Sequence, residues 1–405
     1  MKKILTFALA VATIMSAGAQ KVAVEKAKKM SGKPAQLEEA RSLIKDAIAN
    51  PETANSAETY YVAGLIEFDA FDNATKAKLI NPDDPAASPD VMGKELLSGY
   101  EYFLKALPLD SLPNEKGQVK PKYSKDIVSK LAGHSEDFFQ AGADYFNAKE
   151  YYPGAYQAFM IYGDLAESPL MAKNASSFKP ELVANSYFNA GLSAYSGNAV
   201  EESAKAFKKA REAGYDQPEA YIYEIACWQN LSQDDSRAAE AQDNILEVAQ
   251  AGYDKFGLEQ PVFLNNIING YVINGNNDQA LAVLTPIIAE NPDNASLYGL
   301  RGFVYDRAGQ DDLSEADYRK AASLPDVDFE TLKNVSKKLF KIGTAKLNDL
   351  EGNSPEINAA RQQVKNDYFV AAQEIAEKAG SMNPNDSDLQ NVLESIDYAI
   401  TTYFK

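Results

Sequence analysis

Along most of the chain, apolar residues return three and four positions apart, the spacing of one face of an α-helix, and no segment sustains the period-two alternation of a half-buried strand. The stretch "YFNAGLSAYSGNAVEESAKAFKKA", residues 187–210, shows the pattern closely. Its small residues Ala190, Gly191, Ser203 and Ala210 and its large residues Tyr187 and Phe207 stand at the offsets expected where two helices lie against each other. Gly191 and Ser203 are the expected points of closest approach.

The same layout recurs. From Tyr187 to Tyr221, from Leu264 to Tyr298, and from Tyr298 to Leu332 the spacing is 34 residues each time. A glycine or alanine where two helices cross lets their backbones approach, and a large side chain one turn away fills the remaining space. Glycine inside a helix costs up to about 1 kcal/mol relative to alanine, so its return at one offset, at Gly64, Gly142, Gly191 and Gly302, predicts a packing role. The segments "INGNND" and "DRAGQDD" carry the glycine and Asp/Asn signals that end helices.

With this period the chain resembles the tetratricopeptide repeat family, whose helix-turn-helix unit carries the pattern W-x2-L-G-x2-Y, A-x3-F and a closing proline. The tyrosine position holds Tyr145, Tyr271 and Tyr305. The small-x3-large pairs of the second helix are Ala40 with Ile44, Gly99 with Phe103, Ala155 with Phe159, Ser203 with Phe207, Ala280 with Leu284, and Ser314 with Tyr318; closing prolines are Pro292 and Pro384. The resemblance covers roughly residues 35–400 and implies an all-α, right-handed superhelical solenoid of about seven or eight hairpins. The first and last units are expected to be degenerate caps. Departures from the 34-residue spacing put loop insertions near residues 69–95, 108–130, 163–180 and 348–360, where polar, proline-bearing stretches gather.

The first 19 residues, "MKKILTFALAVATIMSAGA", have a basic start, an apolar run and small residues at a cleavage site before Gln20, the layout of a secretory signal peptide. The run is short for a bilayer span, and no later stretch reaches the roughly 18 apolar residues a transmembrane helix needs. The expected destination is the periplasm or the exterior, with a domain of residues 20–405 remaining after cleavage. No cysteine follows the apolar run, which argues against a lipid anchor there. Cys227, the single cysteine, lies in the apolar helical pattern "YEIACWQNL" and reads as a small buried hydrophobe. The formal net charge of -18 opposes binding to nucleic acid or an anionic membrane.

Catalytic ingredients are not grouped. His134 is the only histidine, in "LAGHSEDFF" at a helix start, and no cysteine stands near it in the chain, so a zinc site is not expected and the side chain reads as a capping or surface residue. The acidic clusters "NPDDP", "SQDDS" and "GQDD" sit where turns and helix N-caps favour aspartate, and none has the layout of a calcium loop. No phosphate-cradling glycine loop or nucleophile elbow is present. The chain is therefore expected to be non-enzymatic, with no cofactor and no metal.

The family resemblance implies that the first helix of each repeat lines a concave groove that holds a protein or peptide partner. One and eight positions after the anchor residue, these helices present Tyr61 with Phe68, Phe139 with Phe146, and Phe188 with Tyr195. Further on the lining turns polar, with Asn265 and Val272, then Gly299 and Asp306, beside Asn269, Phe303 and Arg307. A clamp of several basic residues around a peptide carboxylate is not expected, because Arg301 and Arg307 do not supply one. The expectation is an exported scaffold for a protein or peptide partner, within an envelope complex as one form. An alternative is capture of a glycan or small ligand at the cell surface, because exported helical-repeat proteins similar to the SusD-like family use aromatic platforms for sugars, although this chain departs from that family in lacking its lipoprotein cysteine.

Overall fold

The structure, a computed structural model, describes residues 20–114, 116–149 and 151–404; the expected signal segment, residues 1–19, lies outside them. The chain is all-α, built from consecutive helices folded back on one another as helix-turn-helix hairpins. Among the described residues there is no strand beyond a single antiparallel bridge between Pro113 and Val119. Two compact units are distinguished, the first ending at Asn244 and the second beginning at Ile245.

The first unit opens with α1 (residues 20–30) and contains α2 (Leu37–Ala49), α3 (Ala57–Ile80), α4 (Pro89–Asp110), α5 (Ser124–Gly133), α6 (Ser135–Ala148), α7 (Tyr152–Glu167), α8 (Pro180–Ser196), α9 (Val200–Glu212) and α10 (Glu219–Leu231). Helix α11 (Ala238–Phe256) follows in the chain. The second unit contains α12 (Pro261–Ile273), α13 (Asn277–Glu290), α14 (Ala295–Arg307), α15 (Asp311–Ser323), α16 (Phe329–Asn348), α17 (Pro355–Val364), a π-helical turn (Lys365–Val370), α18 (Ala371–Met382) and α19 (Ser387–Tyr403).

The hairpins are held by rings set against glycines. In α8/α9 the Phe207 ring lies where a side chain on Gly191 would be: a Cβ there would stand 2.6 Å from the ring. The α3/α4 hairpin does this reciprocally, Phe103 against Gly64 and Phe68 against Gly99, with the two rings stacked at 5.0 Å. These rings are fully buried, and each such side chain removed from water contributes roughly 1.5–3 kcal/mol.

The expected insertions are shorter and more helical than the polar, proline-bearing segments suggest. In the 69–95 region α3 continues to Ile80, because residues 72–80 hold neither glycine nor proline, and Ala70, Phe71 and Ala74 stay buried along the same helix. The break comes at Asn81, and α4 starts with Pro89, where a missing N–H costs nothing. In the 108–130 region α4 runs through Pro108 to Asp110 and α5 occupies Ser124 onward. In the 163–180 region α7 continues to Glu167, and Pro169–Ser177 are 3-10 helical. In the 348–360 region the helix resumes at Pro355, again a proline in the first turn.

Helix α5 stands outside the repeat pattern and changes what α3 can expose. Asp110 at the end of α4 anchors it, accepting hydrogen bonds from the backbone N–H groups of Lys122 (2.9 Å), Tyr123 (2.8 Å) and Ser124 (2.7 Å) and from the Ser124 hydroxyl (2.7 Å). Tyr123 and α5 thereby come to lie over α3.

Candidate functional site

The positions expected to line a groove fare differently in the two units. In the first unit, Tyr61 and Phe68 are corrected to core residues. Tyr61 is buried, stacks on Tyr123 at 4.5 Å, and donates its hydroxyl proton to Asp126 over 2.7 Å. Burial and then that carboxylate push its phenol pKa well above the ordinary value. Phe68 is fully buried between Phe103 and the His134 imidazole, 4.9 Å from the latter. The physical reasons differ: Tyr123 and Asp126 of the insertion cover Tyr61, whereas Phe68 packs against Gly99 and Phe103 of α4 and is capped by His134 at the start of α6.

Phe139 and Phe146 are half-buried, and their rings meet their own hairpin edge-on. Phe139 lies 5.2 Å from Phe159 and 5.6 Å from Tyr162; Phe146 lies 5.7 Å from Tyr152. Phe188 is half-buried and stacked on Tyr215 at 4.4 Å. Tyr195, with 46% of its surface exposed, is the member of this set open to solvent.

In the second unit α12, α14 and α16, the first helices of three successive hairpins, surround a cavity of about 830 Å³ that gathers Asn265, Asn269, Gly299, Phe303 and Asp306. The placement follows from each helix's buried stripe. In α12, Leu264, Ile267 and Ile268 turn inward, which leaves Asn265 and Asn269, four apart, on the opposite face. In α14, Ala295, Leu297, Gly302 and Val304 turn inward, and Gly299 approaches α16 so closely that a Cβ would stand 3.2 Å from the Thr331 methyl. In α16, Leu332, Val335 and Leu339 are buried, and Asn334, Lys337, Lys338 and Lys341 reach the cavity wall. Arg307 sits with its guanidinium 5.6 Å from the centre of the Phe303 ring and is not part of the cavity wall.

Sequence reasoning missed the lysines. The signal, "SKKLFK" after Leu332, has the period of any solvated helix face, so spacing alone does not distinguish it. Two of the three are engaged within the unit: Lys338, buried, pairs with Asp306, and Lys337 pairs with Asp388. Lys341 is exposed and has no carboxylate within ion-pair distance among the described residues. Burial disfavours the charge on Asp328, but hydrogen bonds from Ser296 and Thr331 outweigh that and hold its pKa below the usual carboxylate range. The Asn265, Asn269 and Asn334 side chains are exposed, make no side-chain hydrogen bond with a described residue, and each offers two donors and an acceptor. Among the described residues, the cavity therefore presents exposed amides and one lysine without an ion pair around the Phe303 ring, groups able to meet hydrogen-bonding and acidic groups of a ligand.

The remaining candidates are structural. Cys227 is buried, its thiol 3.3 Å from the Ser203 hydroxyl, and burial pushes its pKa up to about 11, which disfavours the thiolate. His134, at the start of α6, bonds through Nδ1 to Asp137 at 2.8 Å and packs on Phe68. Among the described residues no group of three or more His, Cys, Asp or Glu side chains is placed to hold a metal, and no helix is long and apolar enough to cross a membrane.

No family model matches the chain, and no curated protein is significantly similar to it. Among solved structures, the crystal structure of yeast Tom70 is similar at 15% identity, covering 96% of this chain and 89% of that one, with a TM-score of 0.31. The crystal structure of the APC/C hetero-tetramer Cut9-Hcn1 is similar at 13% identity, covering 90% and 81%, with a TM-score of 0.30.

Proposed function

We propose that this protein is an exported, non-enzymatic scaffold of tetratricopeptide type that holds an extended peptide segment of a protein partner across α12, α14 and α16. The observation that carries the reading is the set of unpartnered Asn265, Asn269 and Asn334 amides beside Lys341, projected into one cavity by successive first helices. Buried polar groups on a ligand need partners in the site, and a peptide backbone offers a carbonyl and an N–H at nearly every residue. The chain's acidity would otherwise repel an acidic peptide; Lys341 supplies a local exception. The aromatic platform that a glycan reading needs has less support, since Tyr61 and Phe68 lie in the core and Phe139, Phe146 and Phe188 pack within their unit.

Selection of a random displayed-peptide library on the purified protein tests the groove. Peptides that bind the wild type and lose about tenfold in affinity on Asn265→Ala/Asn269→Ala support the reading; peptides indifferent to that pair of changes refute it. Export is tested separately, by cell fractionation and N-terminal sequencing: a mature chain beginning at Gln20 outside the cytoplasm supports it, and a cytoplasmic chain retaining Met1 overturns it.

A further inference from the structure

A second cavity, of about 870 Å³, lies elsewhere in the second unit, walled by the C-terminal half of α16, by α17, by the π-helical turn and by α19. Its volume falls within the roughly 300–1,000 Å³ of small-molecule sites. It shares no wall residue with the cavity at Asn265 and Asn269.

The floor is aromatic. The chain between α17 and α18 widens into the π-helical turn at Lys365–Val370, a feature that recurs at functional sites. The turn presses onto α16 at Gly343, where a Cβ would stand 2.6 Å from the Cβ of Tyr368. This close approach sets the buried Phe369 ring edge-on to Phe340 at 5.6 Å and to Phe404 at 5.1 Å. At the rim, Tyr398 and Tyr403 are 63% and 57% exposed, unusually open for large aromatic side chains.

The polar wall carries a cation, Arg361, that forms no ion pair with any described residue. Arg361 donates to the carbonyl oxygen of Leu350 at 2.9 Å and to the side-chain oxygens of Asn353 at 3.2 Å and Asn358 at 3.3 Å, all neutral acceptors. The other arginines that make hydrogen bonds in the described chain, Arg41, Arg211, Arg237, Arg301 and Arg319, each pair with a carboxylate. Arg361 does not, although the chain as a whole is strongly acidic. Three neutral bonds thus fix the orientation of its guanidinium and leave it without a directly bonded carboxylate, beside an aromatic floor.

We propose that this cavity binds a small organic monoanion: a carboxylate on an aromatic or branched apolar body. The guanidinium fork matches a carboxylate in geometry and charge, and the Phe340, Phe369 and Tyr398 rings receive the body. Glu394, also in the wall, and the chain's net negative charge select against multiply charged anions such as nucleotides.

The test titrates the purified full chain with 4-phenylbutyrate and with its neutral analogue 4-phenylbutanol, read by calorimetry and saturation-transfer NMR. The anion is expected to bind at least tenfold more tightly than the alcohol. Arg361→Gln should bring the anion down to the level of the alcohol. Ser395→Trp, at an exposed position in the wall, should abolish binding of both. Asn358→Asp places a carboxylate beside the guanidinium and keeps Arg361 itself, so it should reproduce the loss even if Arg361→Gln folds poorly. Asn269→Ala should change neither affinity. Equal affinity for anion and alcohol, no binding at millimolar concentration, or an anion preference that survives both Arg361→Gln and Asn358→Asp would each overturn the proposal.

Discussion

The Ser203 hydroxyl donates a 2.8 Å hydrogen bond to the backbone carbonyl of Gly191, joining α9 to α8 at the point where the Phe207 ring passes over the same glycine. The second unit repeats the device: Ser314 donates to the carbonyl of Gly302 at 2.9 Å, and Tyr318 covers that glycine. A glycine without a side chain, a serine one helix later and a ring four residues beyond form one joint. Gly191→Ala should therefore destabilise the protein by about 1–2 kcal/mol, because overpacking costs about 1–3 kcal/mol and better helix propensity returns up to about 1. Gly270→Ala is the contrasting case, since a Cβ there meets only Leu246 at 3.8 Å, and it should be neutral or stabilising by up to about 1 kcal/mol. Urea-unfolding midpoints of the two variants decide the matter; equal losses would show that the joint does not depend on close approach.

The ion pair of Arg211 with Glu224, bonded through Nε at 2.6 Å and Nη2 at 3.2 Å, ties α9 to α10 with both side chains almost wholly buried. Removing one partner strands a charge away from water. Arg211→Met should cost about 3–5 kcal/mol, whereas Arg211→Met combined with Glu224→Leu should recover much of that, because desolvation of a buried pair offsets most of its attraction. A double-mutant cycle in urea measures this. If the double variant is as unstable as the sum of the singles, the pair is not coupled in this way.

The joint at Gly191 was legible in the sequence because it is local: two helices linked by a short turn must meet, and a small residue followed by a ring at fixed offset records how. The cavity residues Asn265, Asn269 and Phe303 were legible for a related reason, since they lie where the 34-residue spacing holds from Leu264 to Leu332. Tyr61 was not, because what covers it, Tyr123 and Asp126, belongs to an insertion with no place in the period. Phe68 was not, because it fills the joint with Gly99 and Phe103 of the neighbouring helix beneath His134. The lysines of α16 were invisible for a third reason. A lysine facing solvent and a lysine facing a cavity have the same spacing along a helix, and only the neighbouring helices distinguish them.

The groove proposed at α12, α14 and α16 predicts a salt dependence of peptide binding. Among the described residues, Lys341 is the lysine of the cavity wall without an ion pair, whereas Lys338 is paired with Asp306. Lys341→Ala should weaken an acidic peptide selected on the protein by about tenfold, equivalent to about 1.4 kcal/mol, and should flatten the salt dependence of what binding remains. Tyr195→Ala, in the first unit, should leave affinity unchanged. Binding assays at low and high ionic strength distinguish the outcomes, and an effect of Tyr195→Ala equal to that of Lys341→Ala would move the site to the first unit.

Asp110 makes the attachment of α5 sensitive to acid. Burial raises the cost of its charge, but the Ser124 hydroxyl and the N–H groups of Lys122, Tyr123 and Ser124 more than offset that, and its pKa is held below the ordinary carboxylate value. The sign follows: a carboxyl group whose pKa is depressed by folding contributes stability that is present above its unfolded value, about 3.9, and that is lost as pH falls through the folded value. Amide exchange, corrected for intrinsic rates, should accordingly show the N–H groups of Lys122, Tyr123 and Ser124 protected at pH 6 and losing protection as the solution is acidified below pH 4. In Asp110→Asn the three amides should be less protected at pH 6 and nearly insensitive to pH over the same interval. Because Tyr123 stacks on Tyr61, the same variant should loosen the cover over α3 and raise the accessibility of Tyr61 to phenol-modifying reagents. Unchanged protection in Asp110→Asn would mean that α5 is held by its apolar contacts alone, through Ile127 and Leu131.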